Sequence, residues 1–144
     1  MPLIYMNYSE GAFSQKSLHA LAEEMTTIGV ECERLANTPF VRSTTWIYAH
    51  EHPVQTVFVG GKSMGTKVVS LEVNVFEGGL DDHAKNQLIE RLTSAIRNHG
   101  GIKPDTRVPV YIVIREVAPS NWGVFGDRIT LESLRTPPAD AKPV

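Results

Sequence analysis

The chain has little of what would commit it to an extracellular, membrane or nucleic-acid setting. Cysteine occurs once, at Cys32, so no disulfide can form within the chain and no cysteine-based metal cluster is available. Apolar runs fall short of the ~20 residues that cross a bilayer. The opening stretch MPLIYMNYSEG has neither the basic segment nor the long apolar core of a secretory signal. A surplus of either charge is also missing. The formal net charge is −2, which gives no electrostatic reason to expect nucleic acid or an acidic membrane as partner. There is no nucleophile elbow and no dinucleotide fingerprint. Gly60-Gly61-Lys62-Ser63 lacks the upstream glycine of a phosphate loop, because position 56 is Thr56, and it reads as a hairpin or loop. His50-Glu51-His52 places two histidines at a strand end with no third ligand at a recognisable spacing, so it reads as a solvated turn. The expectation is a cytoplasmic protein with no organic cofactor and no metal.

What is present is a doubled unit. At 144 residues the chain suits one domain around a single two-layer core. Glu10-Gly11-Ala12-Phe13-Ser14, followed by Leu21, Ala22, Glu23 and Met25, recurs 67 positions later. There it is Glu77-Gly78-Gly79-Leu80-Asp81, followed by Leu88, Ile89, Glu90 and Leu92. Each copy starts with a strand, 3–8 and 68–76, rich in β-branched and aromatic residues. In the second, Leu71, Val73 and Val75 alternate with polar residues, which predicts one dry face. Ser14 and Asp81 are placed to cap helices. Leu18, Leu21, Ala22, Met25 and Ile28 then recur at helical spacing, as do Ala84, Leu88, Ile89, Leu92, Ala95 and Ile96, with Gly100-Gly101 as a stop. A further strand closes each half, 44–49 and 110–115. After it come a proline-containing turn and Val57-Phe58-Val59-Gly60-Gly61 or Trp122-Gly123-Val124-Phe125-Gly126, now 65 positions apart.

Two β-α-β units in tandem predict an α+β fold, a four-stranded mixed sheet with two helices on one face. The first unit spans 2–62 and the second 68–128 of a single domain, 1–135. Residues 136–144 have the composition of a flexible tail. The other sheet face must also be covered, so a homo-oligomer is expected.

A β-α-β unit that starts Met1-Pro2-Leu3-Ile4, carries a Glu-Gly turn and ends in a Trp-Gly hairpin resembles 4-oxalocrotonate tautomerase. Two such units in one chain look like the fused members of the tautomerase superfamily, and the cis-3-chloroacrylic acid dehalogenases share the length. Glu116-Val117-Ala118-Pro119-Ser120-Asn121-Trp122-Gly123 is close to a signature of tautomerase carboxyl-terminal segments. The resemblance covers roughly residues 2–128. It implies a tautomerase/MIF-like fold and a homotrimer. It also implies loss of Met1 to expose the Pro2 ring nitrogen as general base, acting on a small enol or 2-oxo acid. Only the first unit begins with proline; Val69 stands at the matching place in the second, so one base per chain is implied.

The chain departs from the family pattern at the substrate. The arginine that follows the Glu-Gly turn is replaced by Ala12 and Gly79, and the one early in the closing strand by Trp46 and Tyr111. The pocket aromatic is kept as Trp122 and replaced by Val57 in the first unit. Phe76, Gly79 and Val124 fall where a dehalogenase has its arginines and its water-activating acid, which argues against that chemistry. A carboxylate site rebuilt from other cations has Arg115 and Arg42 as candidates, since an arginine fork suits a carboxylate better than Lys62 does. Tyr111 is placed to donate to a developing enolate, and Tyr111, Val113 and Arg115 share a sheet face. Each of these also reads as a surface or packing residue. The rival readings are a non-catalytic trimer that uses the scaffold for ligand binding or assembly, and a proline-dependent decarboxylase or hydratase.

Overall fold

In the computed structural model, which describes residues 2–63 and 65–143, strand β1 (Leu3–Ser9) leads through a Glu-Gly turn into helix α1 (Gln15–Cys32). A short helix α2 (Pro39–Ser43) precedes β2 (Trp46–His52), and a hairpin of β3 (Phe58–Val59) and β4 (Lys62–Ser63) ends the first unit. The second repeats it: β5 (Val69–Phe76), α3 (Asp82–His99), β6 (Val110–Val117), then the hairpin of β7 (Gly123–Val124) and β8 (Asp127–Arg128). A last short helix, α4 (Leu131–Arg135), follows.

The sheet order is β2-β1-β5-β6. Each unit's own strands pair in parallel, and the units meet through the antiparallel pair β1–β5. Both long helices start as their capping residues dictate. The Ser14 hydroxyl accepts from the Ser17 amide at 3.1 Å, and the Asp81 carboxylate from the Ala84 amide at 2.7 Å. Gly100 caps α3, and Gly101 takes the left-handed φ of +62° that turns the chain away.

Period-2 alternation sorts the strands. Ile4, Met6, Val69, Leu71, Val73 and Val75 point under the helices and pack with Leu21, Met25, Leu88, Leu92 and Ile96. The opposite face carries Tyr5, Tyr48, Tyr111 and Val113, all exposed within one chain.

Two elements have no counterpart in the periodic pattern. Helix α2, with Thr38 as its cap and Pro39 at its first turn, ends on Thr44, so the strand expected from Thr44 begins two residues later, at Trp46. Helix α4 is drawn in by Leu134, fully buried, whose carbonyl accepts from the Ala36 amide at 3.1 Å. Together Val30, Leu35, Val41, Phe76, Trp122 and Leu134 make a second apolar cluster. It closes the end of the sheet where β1 begins and β5 finishes.

Candidate functional site

Pro2 sits at that closed end. Alternation puts it on the same side as Ile4, beneath α1, and its side chain is buried. Its carbonyl accepts from the Trp46 amide at 3.3 Å, which anchors the start of β1 to β2. The ring lies against Gly29, so close that a Cβ on residue 29 would fall 2.6 Å from Pro2 Cγ. A glycine inside a helix is destabilising by roughly 0.5–1 kcal/mol relative to alanine. Here it makes room for a ring.

Beside Pro2, on the opposite face of the strand, Leu3 lines a cavity of about 160 Å³. Thr44, Trp46, Trp122, Val124 and Phe125 complete its walls, and no charged side chain lines it among the described residues. Trp122 is held from two sides. Its Nε1 donates to the Val117 carbonyl at 3.2 Å, and its ring packs on Phe76 with centroids 4.9 Å apart. The Thr44 hydroxyl is spent on the Val41 carbonyl at 2.6 Å. Cavity chemistry is therefore apolar and aromatic.

The sheet register places the remaining candidates. Trp46, Leu3, Asn74 and Arg115 are direct neighbours across the four strands, all on the face away from the helices. Arg115 thus shares a row with Leu3, but two strands away, about 10 Å. It is exposed and pairs with Glu72 at 3.1 Å. Tyr111 stands four residues earlier in β6, in the row of Ser70 and Asn7. That is ~13 Å from the row of Leu3. Within one chain Tyr111 lines a different cavity, with Asn7, His52 and Phe58. Arg42 belongs to α2, and its guanidinium turns outward onto α1, to the Glu23 carboxylate and to the Thr27 hydroxyl at 3.2 Å. Within one chain, then, Trp122 is the candidate that the fold brings to the cavity beside Pro2. Met1, on whose removal the basicity of Pro2 depends, lies outside the described residues.

Other titratable groups near this end offer no rival nucleophile. Burial pushes the Cys32 thiol up, more than the Arg91 guanidinium beside it lowers it. At the far end of β1, His52 Nε2 donates to Asn7 Oδ1 at 2.8 Å and its ring stacks on His50.

Three residues of the site were not signalled by periodicity: Gly29, Thr44 and Phe125. A glycine inside an amphipathic helix is itself a sign of close approach, and the 65-residue offset pairs Phe125 with Gly60.

The sequence profile of the tautomerase family, described as "Tautomerase enzyme", matches residues 70–132, essentially the whole second unit. No curated protein sequence matches the chain. Among solved structures, Pt0534 inactivated by 2-oxo-3-pentynoate superposes with a TM-score of 0.72 at 19% identity, over 91% of this chain and 97% of that one. The wild-type symmetric trimer of a fused 4-OT gives 0.72 at 18%, over 90% and 96%. N1, a member of the cis-3-chloroacrylic acid dehalogenase family, gives 0.70 at 17%, over 88% and 83%. At such identities the likeness to these structures is one of fold.

Proposed function

We propose that this chain, whose second unit matches the tautomerase family and whose fold is that of the fused two-unit structures, is a cofactor-independent tautomerase that interconverts the enol and keto forms of a small 2-oxo acid, with Pro2 as general base. The observation that carries this reading is the seat of Pro2: a ring docked on a helix glycine, one residue from an apolar cavity with Trp122 in its wall. Once Met1 is removed, the ring nitrogen is a secondary amine. A free α-amino group titrates at about 7.7–8.0, and apolar surroundings disfavour its ammonium form and lower that value. The base is then poised near the working pH.

The proton balance is simple. The neutral amine takes the enol hydroxyl proton, the oxygen electrons form the ketone, and the carbon–carbon double bond turns its pair toward the ammonium. The ammonium returns the proton to carbon 3. Nothing else is consumed, and one nitrogen serves both directions.

Phe76, buried beneath Trp122, and Val124 in the cavity wall supply no acid to activate water. That favours tautomerisation over hydration. Arg115 is the cation that shares a row with Leu3 and is the candidate for the substrate carboxylate, while Tyr111 and Arg42 stand away from this cavity within one chain. A homotrimer is part of the proposal. It is supported by the trimeric fused 4-OT among the similar structures and by the tyrosines exposed on the open sheet face. A cytoplasmic setting rests on the lone Cys32.

One observation favours a second reading. The cavity has no cation in its lining among the described residues, which would also suit a non-catalytic trimer that binds an apolar ligand. Intact mass and turnover decide between them. The tautomerase reading expects loss of Met1 and ketonisation of phenylenolpyruvate that collapses in Pro2→Ala. A mature chain that keeps Met1, or a wild type silent on phenylenolpyruvate and 2-hydroxymuconate, leaves the binding reading standing.

A further inference from the structure

The two hairpins turn the same corner with different residues. In the first, Val59 pairs with Lys62 across Gly60 at φ +59° and Gly61 at φ +79°. In the second, Val124 pairs with Asp127 across Phe125 at φ +56° and Gly126 at φ +90°. Both are two-residue turns with left-handed central residues. Glycine takes that conformation freely, whereas a bulky side chain there is an outlier. The repeat shows that glycine serves this corner, so the turn does not require phenylalanine. Nor does burial account for it, because Phe125 stays 60% exposed. What its ring does is approach Trp46 of β2, with centroids 6.5 Å apart, so that one aromatic from each unit flanks the cavity beside Pro2.

From this geometry we infer that Phe125 is a specificity-determining residue, an aromatic wall that packs on a planar apolar tail of the substrate and disfavours a tail ending in a second carboxylate. The inference rests on the reading that this cavity is the reactive site. With Leu3, Trp46, Trp122 and Val124 as the other large walls, a conjugated tail gains contact with ring faces. A carboxylate tail is desolvated with no cation to meet it.

The chain supplies its own reporter. It has two tryptophans, Trp46 and Trp122, and both line the cavity. Intrinsic fluorescence of the full chain is titrated with 3-phenylpropanoate, which cannot enolise, and with hexanedioate as the dicarboxylate. The wild type is expected to prefer the aryl acid. Phe125→Gly, which suits the turn, should weaken 3-phenylpropanoate roughly tenfold, bind hexanedioate more tightly than the wild type does and not lower the melting temperature. Phe125→Asn, a residue tolerated in this backbone region, should behave alike. Unaltered affinity for 3-phenylpropanoate in both variants overturns the inference. A lowered melting temperature or changed oligomeric state in both overturns it too, because the ring would then be structural. Titration needs no turnover, so an inactive wild type counts against the tautomerase reading alone and leaves the Phe125 result decisive.

Discussion

The two ends of the sheet are copies of one design that have gone separate ways. At one end the β7–β8 hairpin folds over the start of β1, where Leu3 and Trp46 meet Trp122 and Phe125 around about 160 Å³. At the other the β3–β4 hairpin folds over the start of β5, where Ser70 and Tyr111 meet Val57 and Gly60 around about 350 Å³ that also holds Asn7 and His52. Three exchanges run together. Proline at position 2 answers to Val69, Gly29 in α1 to Ile96 in α3, and Trp122 with Phe125 to Val57 with Gly60. Val69 lies within the chain, and its amide donates to the Pro109 carbonyl at 2.9 Å. An amide nitrogen has no basicity to offer. Where Gly29 gives room to the Pro2 ring, Ile96 at the matching place in α3 is a fully buried core residue.

The largest expected effect tests that asymmetry directly. Pro2→Ala should lower kcat/KM for phenylenolpyruvate by roughly 10³-fold, within the range ascribed to a positioned general base. Val69→Pro should add no activity and should cost about 1–3 kcal/mol in urea denaturation, because it removes the amide that bonds Pro109. Activity that survives Pro2→Ala, or rises in Val69→Pro, would break the comparison.

The hairpin aromatics come next. Trp122→Ala should destabilise by about 3–4 kcal/mol, since the indole is buried on Phe76 and its N–H satisfies Val117. Val57→Ala, at the matching place but only half-buried, should stay within about 1 kcal/mol. Equal losses in chemical denaturation would mean that both hairpins pack alike. Smaller still is the effect at the helices. Gly29→Ala gains helix propensity yet drives a methyl into the Pro2 ring, so kcat should fall roughly 10²-fold, as for a base displaced by about an ångström, with a stability loss of no more than about 1–2 kcal/mol. Ile96→Ala should do the reverse, costing stability while leaving kcat alone.

Much of this architecture was legible because local signals agreed with the global fold. Alternation along β5, the caps Ser14 and Asp81 and the Gly100-Gly101 stop each mark an element at the place where it forms. Helices α2 and α4 were not legible. Five residues carry too little periodicity to announce a helix, and these two are held by Val41 and Leu134 in the second apolar cluster. For the site, Pro2 and Trp122 stood out by residue type, whereas Gly29 and Phe125 matter through what they touch. The position of Tyr111 depends on strand direction. Because β6 runs antiparallel to β1, its finish at Arg115 and not its start at Tyr111 lies in the row of Leu3. Sequence spacing within β6 carries no trace of that.

The smallest expected effect separates the two helix starts by pH. Hydrogen bonding from the Ala84 amide, aided by the Arg34 guanidinium at 2.8 Å and opposed by partial desolvation, holds the Asp81 carboxyl below its usual value. A carboxyl with a lower pKa in the folded state adds stability that is fully present above its unfolded value, about 3.9. That stability is lost as pH falls through the folded value. Ser14 does not titrate. Ser14→Ala should therefore cost about 1 kcal/mol at pH 7 and the same at pH 3. Asp81→Asn keeps a capping oxygen but loses the charge, so its deficit against the wild type should be present at pH 7 and shrink toward pH 3. Denaturation curves for both variants at the two pH values check this. A Ser14→Ala deficit that also shrinks in acid would mean that something other than the Asp81 carboxylate makes the second unit's helix the acid-sensitive one.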